Sequence, residues 1–209
     1  MRKGIIVNLK RFKVLDYVTL NKIFLMLCML FIAGIAVGSA VFNKNNWLSD
    51  TAEMFFNHYI SIHTDANFLK KLCVCFLSYL FVLIFYFLSG TSMLGVAVTP
   101  FITVWQGILF GAVSSYLYWS HGLSGIAFNA IILIPPAVIF TVCCFFAARY
   151  AIDFSLSTAR LTLPRSKPAS LYINFKNYCV KYLIFIGILL ICATLEIILN
   201  LLFLKFFNF

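Results

Sequence analysis

Negative charge is nearly absent from this chain: six Asp and Glu stand against sixteen Lys and Arg in 209 residues, and charged residues of both signs reach only 11%. Soluble domains devote about 25% of their residues to charge, which makes soluble catalysis a poor fit as the primary role. Motifs that carry chemistry are missing too. No Ser-His-Asp arrangement, HExxH pair or P-loop occurs, and nothing implies a cofactor. Of the three histidines, His58 and His63 lie near Asp50, Glu53 and Asp65, but a separation of five does not put two imidazoles on one helical face. A solvated link, or a short surface helix around Thr51–Ile62, suits that stretch better than a metal site. The seven cysteines have no zinc spacing: Cys73 and Cys75 are two apart, Cys143 and Cys144 are adjacent, and six of the seven fall in or against apolar sequence, where a thiol acts as a small hydrophobe.

What is abundant is hydrocarbon. Hydrophobic residues make up 63% of the chain and the mean hydropathy is +1.01. Five apolar stretches, Ile23–Phe42, Leu72–Leu88, Leu94–Leu117, Leu123–Ala148 and Tyr182–Leu204, are each long enough for a bilayer core that needs ~20 residues of helix. Backbone groups in lipid must pair within their own segment. The fold expected is therefore all-α, a polytopic membrane protein of about five spans forming one membrane domain over 1–209. Within it, 1–22 is a cytoplasmic basic N-terminus, 23–148 a four-helix core, 149–181 a cytoplasmic link, and 182–209 the fifth helix with an external C-terminus. The first span resembles a secretion signal at Gly38-Ser39-Ala40, but its apolar core exceeds the ~7–15 residues of such signals, so it reads as a retained anchor.

A formal charge of +10 raises the question of nucleic acid, yet the basic residues bracket the spans instead of forming a face. Arg2, Lys3, Lys10, Arg11, Lys13 and Lys22 precede the first span; Arg149, Arg160, Arg165, Lys167, Lys176 and Lys181 lie between the fourth and fifth. Only Lys44, Lys70, Lys71 and Lys205 fall on the other side. The positive-inside rule then places the N-terminus in the cytoplasm and the C-terminus outside, with anionic lipid, not nucleic acid, as the partner of the bases. Ile5, Leu9 and Phe12 make one apolar stripe among the N-terminal lysines, and the 149–181 link mixes bases with apolar residues; both read as segments lying on the membrane surface or docking a cytoplasmic partner.

Small residues and prolines indicate how the spans meet. Gly34 and Gly38 form a GxxxG step in the first helix, and Gly107 and Gly111 repeat it in the third; without side chains, two backbones approach closely there. Pro100 in the third span and Pro135-Pro136 in the fourth remove backbone donors and should kink or break their helices. Each follows a Leu-Ser-Gly by the same interval, Leu88-Ser89-Gly90 and Leu123-Ser124-Gly125, which fits either two unrelated kinked helices or an inverted repeat of the kind transporters use. Polar groups at membrane depth are few: Gln106, Asn129 and Glu196. An ionisable group there costs about 2.5–3.5 kcal/mol, so Glu196 is either part of a pathway or hydrogen-bonded across helices to a partner such as Asn129. Tyr116, Tyr118 and Trp119, with His121 and Gly122, form a tight turn whose rings belong at the headgroups.

The stretch Phe85-Tyr-Phe-Leu-Ser-Gly-Thr-Ser-Met-Leu-Gly95, followed by Pro100, Gly107, Gly111, the turn before Gly122 and Pro135, resembles the membrane domain of the stage II sporulation protein M family. The first helix, ending in Gly34-xxx-Gly38, and the charged link before the second helix are similar as well. Pro136, Ala137 and Val138 depart from the polar residues of the family pattern at that point. The resemblance implies a non-enzymatic component of a bacterial cell membrane that acts in forespore engulfment, recruiting two peptidoglycan-degrading partners, stage II sporulation proteins D and P, to the septum. On a scaffold of that kind the link carrying Asp50, Glu53, Asp65, Lys70 and Lys71 is the natural partner surface. Self-association stays open. The alternative is a transporter or permease subunit built on the broken helices and Glu196.

Overall fold

The computed structural model is all-α and describes residues 2–42, 47–65, 67–161, 169–203 and 206, with side chains placed over 22–42, 49–62, 67–159, 175–203 and 206. In chain order the helices are α1 (Arg2–Val41), α2 (Trp47–Asp65), α3 (Phe68–Thr91), α4 (Gly95–Phe128), α5 (Ile134–Leu161) and α6 (Ala169–Phe203), and a π-helical turn, Asn129–Leu133, joins α4 to α5. The side chains of Ile5, Leu9 and Phe12 lie outside the described residues, as does that of Asp65.

Four helical runs are long and apolar enough to cross a bilayer: Lys22–Val41, Phe68–Thr91, Gly95–Ala159 and Phe175–Phe203. The third holds 65 residues. As one straight helix it would extend roughly 98 Å, against a hydrocarbon core of about 30 Å. It folds back instead at Gly122, whose φ of 53° and ψ of −129° suit the first central position of a type II′ turn, where only glycine sits without strain. Past the turn, Asn129 Nδ2 donates to Tyr118 Oη at 2.7 Å across eleven residues, a pair that a straight helix would hold about 16 Å apart. The run is two crossings, which makes five among the described residues.

Side-chain pairs fix the directions of these crossings. Phe31 lies beside Gly107 and Ile35 beside Gly111, so α1 and the first arm of α4 run parallel. Tyr86 meets Thr103 while Ser89 meets Thr99, so α3 and α4 are antiparallel. Tyr182 Oη donates to the Ala147 carbonyl at 2.9 Å and Cys192 Sγ to the Pro136 carbonyl at 3.1 Å, which makes α5 and α6 antiparallel. One end of the bundle, termed proximal, therefore carries Lys22, the Ser92–Leu94 turn, Arg149 and Lys181. The distal end carries α2, Gly122 and Phe203.

The α1–α4 seam is closed by backbone. A methyl at Gly34 would sit 2.5 Å from the Val104 carbonyl and 3.1 Å from Gly107 Cα, and one at Gly111 would sit 3.0 Å from Ile35 Cα. At the proximal end the turn between α3 and α4 is held by Ser155 Oγ, which donates to the Ser92 carbonyl at 2.7 Å, and Gly90 leaves room for Ala151, 2.8 Å from where its Cβ would be. Aromatic stacking fills the space beside it: Tyr178 lies 4.6 Å from Phe154 and 5.1 Å from Phe87, ring centre to ring centre.

Pro100 and Pro135-Pro136 behave differently. The backbone stays helical through Pro100, and Gly122 is the residue in α4 that departs from helical angles. Ahead of Pro135 the helix widens: the Ile134 amide bonds to the Asn129 carbonyl, one residue further back than in an α-helix. The extra residue lets the chain reach two consecutive prolines, neither with an N–H to give, without losing direction.

The distal link is more than a surface helix over Thr51–Ile62. α2 runs from Trp47 to Asp65 and is amphipathic, with Ala52 and Phe56 buried and Met54 and Phe55 outward. Phe56 packs with Leu117, Phe128 and Ile132, so the link is clamped onto the α4–α5 hairpin.

Candidate intramembrane polar site

Glu196 is 6% exposed, on the face of α6 that looks into the bundle. Tyr79 of α3 donates its hydroxyl to Glu196 Oε2 at 2.8 Å, and the Tyr59 hydroxyl and Cys75 thiol also hydrogen-bond the carboxyl group. Asn200, one turn along α6, donates Nδ2 to Tyr59 Oη at 2.6 Å and to the Glu196 carbonyl at 2.9 Å. Hydrogen bonds to a charged acceptor contribute about 1.5–3 kcal/mol each, so two or three offset the ~2.5–3.5 kcal/mol of carrying an ionisable group at this depth. The network also ties α2, α3 and α6 together.

A cavity of about 340 Å³ lies next to this network, and Gln106, Asn129 and Glu196 all line it, with Tyr59 and Tyr79. Gln106 Oε1 accepts from Tyr86 Oη at 2.7 Å, and its Nε2 has the Cys144 sulfur at 3.7 Å. Asn129 is brought inward by the π-helical turn, 1% exposed. Its Oδ1 has no partner.

The expected pairing of Glu196 with Asn129 does not form. Cys192 sits opposite Pro136 in the antiparallel α5–α6 pair, which leaves Asn129 about a turn beyond the level of Glu196, where the fold-back at Gly122 offers it Tyr118 instead. Tyrosines take the place expected of the amide. Tyr79 and Tyr86 are seven residues apart on α3 and so share an inward face, and a tyrosine at membrane depth keeps its hydroxyl only where a partner awaits. That spacing was the available signal.

The expected surface charges separate. Asp50, Glu53 and Lys70 are exposed, while Lys71 is 8% exposed and turned into the protein, so it is not part of an accessible face. All seven cysteines are free thiols. Among the described residues no cluster of His, Cys, Asp and Glu is placed to hold a metal ion. The arrangement is one of hydrogen-bonded carboxyl, amide and phenol groups, suited to holding helices or a bound molecule together.

No curated protein and no solved structure is significantly similar to the chain. The family model described as Stage II sporulation protein M, however, matches residues 27–196, from within the first span to the carboxylate of the last. That match reaches into all five crossings and takes in the polar cavity between them: the chain belongs to the stage II sporulation protein M family, as a multi-pass membrane protein.

Proposed function

We propose that the protein is a membrane scaffold that recruits peptidoglycan-degrading partners, of the kind of stage II sporulation proteins D and P, to the septal membrane during engulfment. The observation that carries this reading is the family match across residues 27–196. Helix α2 supports it physically: Asp50, Glu53, Met54 and Phe55 face outward from a helix whose opposite side is anchored on the bundle, which is a rigid, mixed-character surface of the sort partners dock on.

The orientation that goes with this role has the proximal end in the cytoplasm. Lys22, Arg149, Lys176 and Lys181 gather at that end, and Lys181 Nζ lies 3.8 Å from the centre of the Tyr150 ring, a cation held at interface depth. The distal end with α2 then faces the wall.

A second reading, a permease subunit, draws on the cavity beside Glu196. The two readings separate in cells: a fluorescent wall hydrolase should concentrate at the septum when the chain is present and spread around the membrane when it is deleted. An unchanged septal pattern after deletion would sink the scaffold reading.

A further inference from the structure

At the proximal end α3 and α4 are joined by the Ser92–Leu94 turn and held by hydroxyl pairs, Ser89 with Thr99 at 3.0 Å and Tyr86 with Thr103 at 3.1 Å. Toward the distal end the two helices part. A groove of about 1040 Å³ opens between them, walled by Leu77 and Phe81 on one side and Phe101 and Trp105 on the other. Its rim belongs to the lipid: Leu77 is 64% exposed and Phe101 68%. Groove and polar cavity share the walls Phe55, Tyr79, Gln106 and Phe140, so a space open to hydrocarbon adjoins a chamber holding a carboxyl group. Ligand sites commonly enclose ~300–1,000 Å³, and chamber and groove fall at the two ends of that range.

The chamber has hydrogen-bonding capacity that the protein leaves unused. Asn129 Oδ1 is buried without a donor. Gln106 Nε2 has only a sulfur, a weak acceptor, at 3.7 Å. Gln106 and Asn129 both line the space beside Glu196, and no Lys, Arg or His is among the residues described as lining it. A phosphate headgroup would meet the carboxyl group with no cation to compensate. A hydroxyl fits both, donating to Asn129 and accepting from Gln106.

We infer that groove and chamber together bind a neutral lipid alcohol of the diacylglycerol class, its hydroxyl in the chamber and its hydrocarbon between α3 and α4. Lipid enters sideways, since the groove opens to the bilayer and α2 covers the distal end with Phe55, Phe56 and Tyr59. Phe55 of α2 borders both surfaces, but Asp50, Glu53 and Met54 line neither groove nor chamber, so the inference does not rest on partner recruitment.

The test is photolabelling of the full chain in nanodiscs with diacylglycerol carrying a photoreactive group in its acyl chain. Labelling should concentrate on the peptides spanning residues 74–85 and 101–109 and be displaced by excess unlabelled diacylglycerol but not by phosphatidic acid of the same chains. Asn129→Leu, which keeps the branched outline of the side chain and removes the acceptor together with the bond to Tyr118, should weaken labelling about tenfold, the effect of one lost hydrogen bond. Leu109→Trp, which fills the groove wall, should weaken it as well and serves if the first variant does not accumulate. Labelling spread equally over the lipid-facing residues Leu183, Ile184 and Leu190, equal competition by phosphatidic acid, or indifference to both substitutions would overturn the site. So would crosslinking of a second protein's helix into the groove in place of lipid.

Discussion

Replacing Gly34 with alanine adds a single methyl group, and the structure says where it goes. The new carbon lies 2.5 Å from the Val104 carbonyl oxygen and 3.1 Å from Gly107 Cα, both backbone atoms of the facing helix that no rotamer change can clear. Ordinary contact begins at 3.4 Å, so α1 and α4 must part by about 0.9 Å along the seam. A gap of that size forfeits a quarter to a half of the dispersion energy of each contact it opens, and lipid tails give no hydrophobic drive to restore it. Overpacking of this kind costs about 1–3 kcal/mol. Gly187 provides the control: a methyl there meets nothing within 4 Å, and alanine is the better helix former by about 1 kcal/mol. In a thermal melt of the detergent-solubilised protein, Gly34→Ala should lower the midpoint while Gly187→Ala leaves it level or raises it. Equal midpoints for the two variants would refute a seam held by backbone contact.

The turn between the third and fourth crossings gives a second test: Gly122→Ala has open space around the methyl but must adopt a φ of 53°, so it should destabilise by about 1–3 kcal/mol through backbone strain alone, and an unshifted melt would refute that. Tyr79→Phe removes the 2.8 Å hydrogen bond to Glu196 and should cost about 1.5–3 kcal/mol; in Glu196→Leu the same change should cost much less, and equal losses in both backgrounds would mean the two groups are not coupled. A reporter active only in the cytoplasm, fused to Phe209, should give no signal, and strong activity would reverse the orientation.

The five crossings were legible because lipid leaves few alternatives: a run of apolar residues as long as Leu94–Leu117 has no soluble use, and Gly122 with its polar neighbours marked where the chain turns back. The GxxxG steps likewise pointed to close approach, since glycine at four-residue spacing offers a smooth face, though which helix would fill it was not written in the spacing; Gly34 meets Gly107 because α1 and α4 run parallel. The polar site was harder. Glu196, Asn129 and Gln106 stood out by composition, but their partners depend on helix register and on the π-helical turn at Asn129–Leu133, just ahead of the two prolines. Tyr59 was hidden for another reason. An amphipathic link reads as a surface helix, and nothing in its own sequence says that its tyrosine reaches Asn200 on the last span.

The most direct test of the scaffold account is the amount of wall hydrolase that co-purifies with the tagged chain from gently solubilised membranes, compared between two variants. One reverses the exposed charges of α2, Asp50→Lys with Glu53→Lys; the other is Glu196→Gln, which keeps shape and hydrogen bonding while removing charge. The account predicts that the α2 variant loses the hydrolase and the Glu196→Gln protein keeps it. Retention by the α2 variant together with loss of function in Glu196→Gln would contradict the scaffold and favour a carrier.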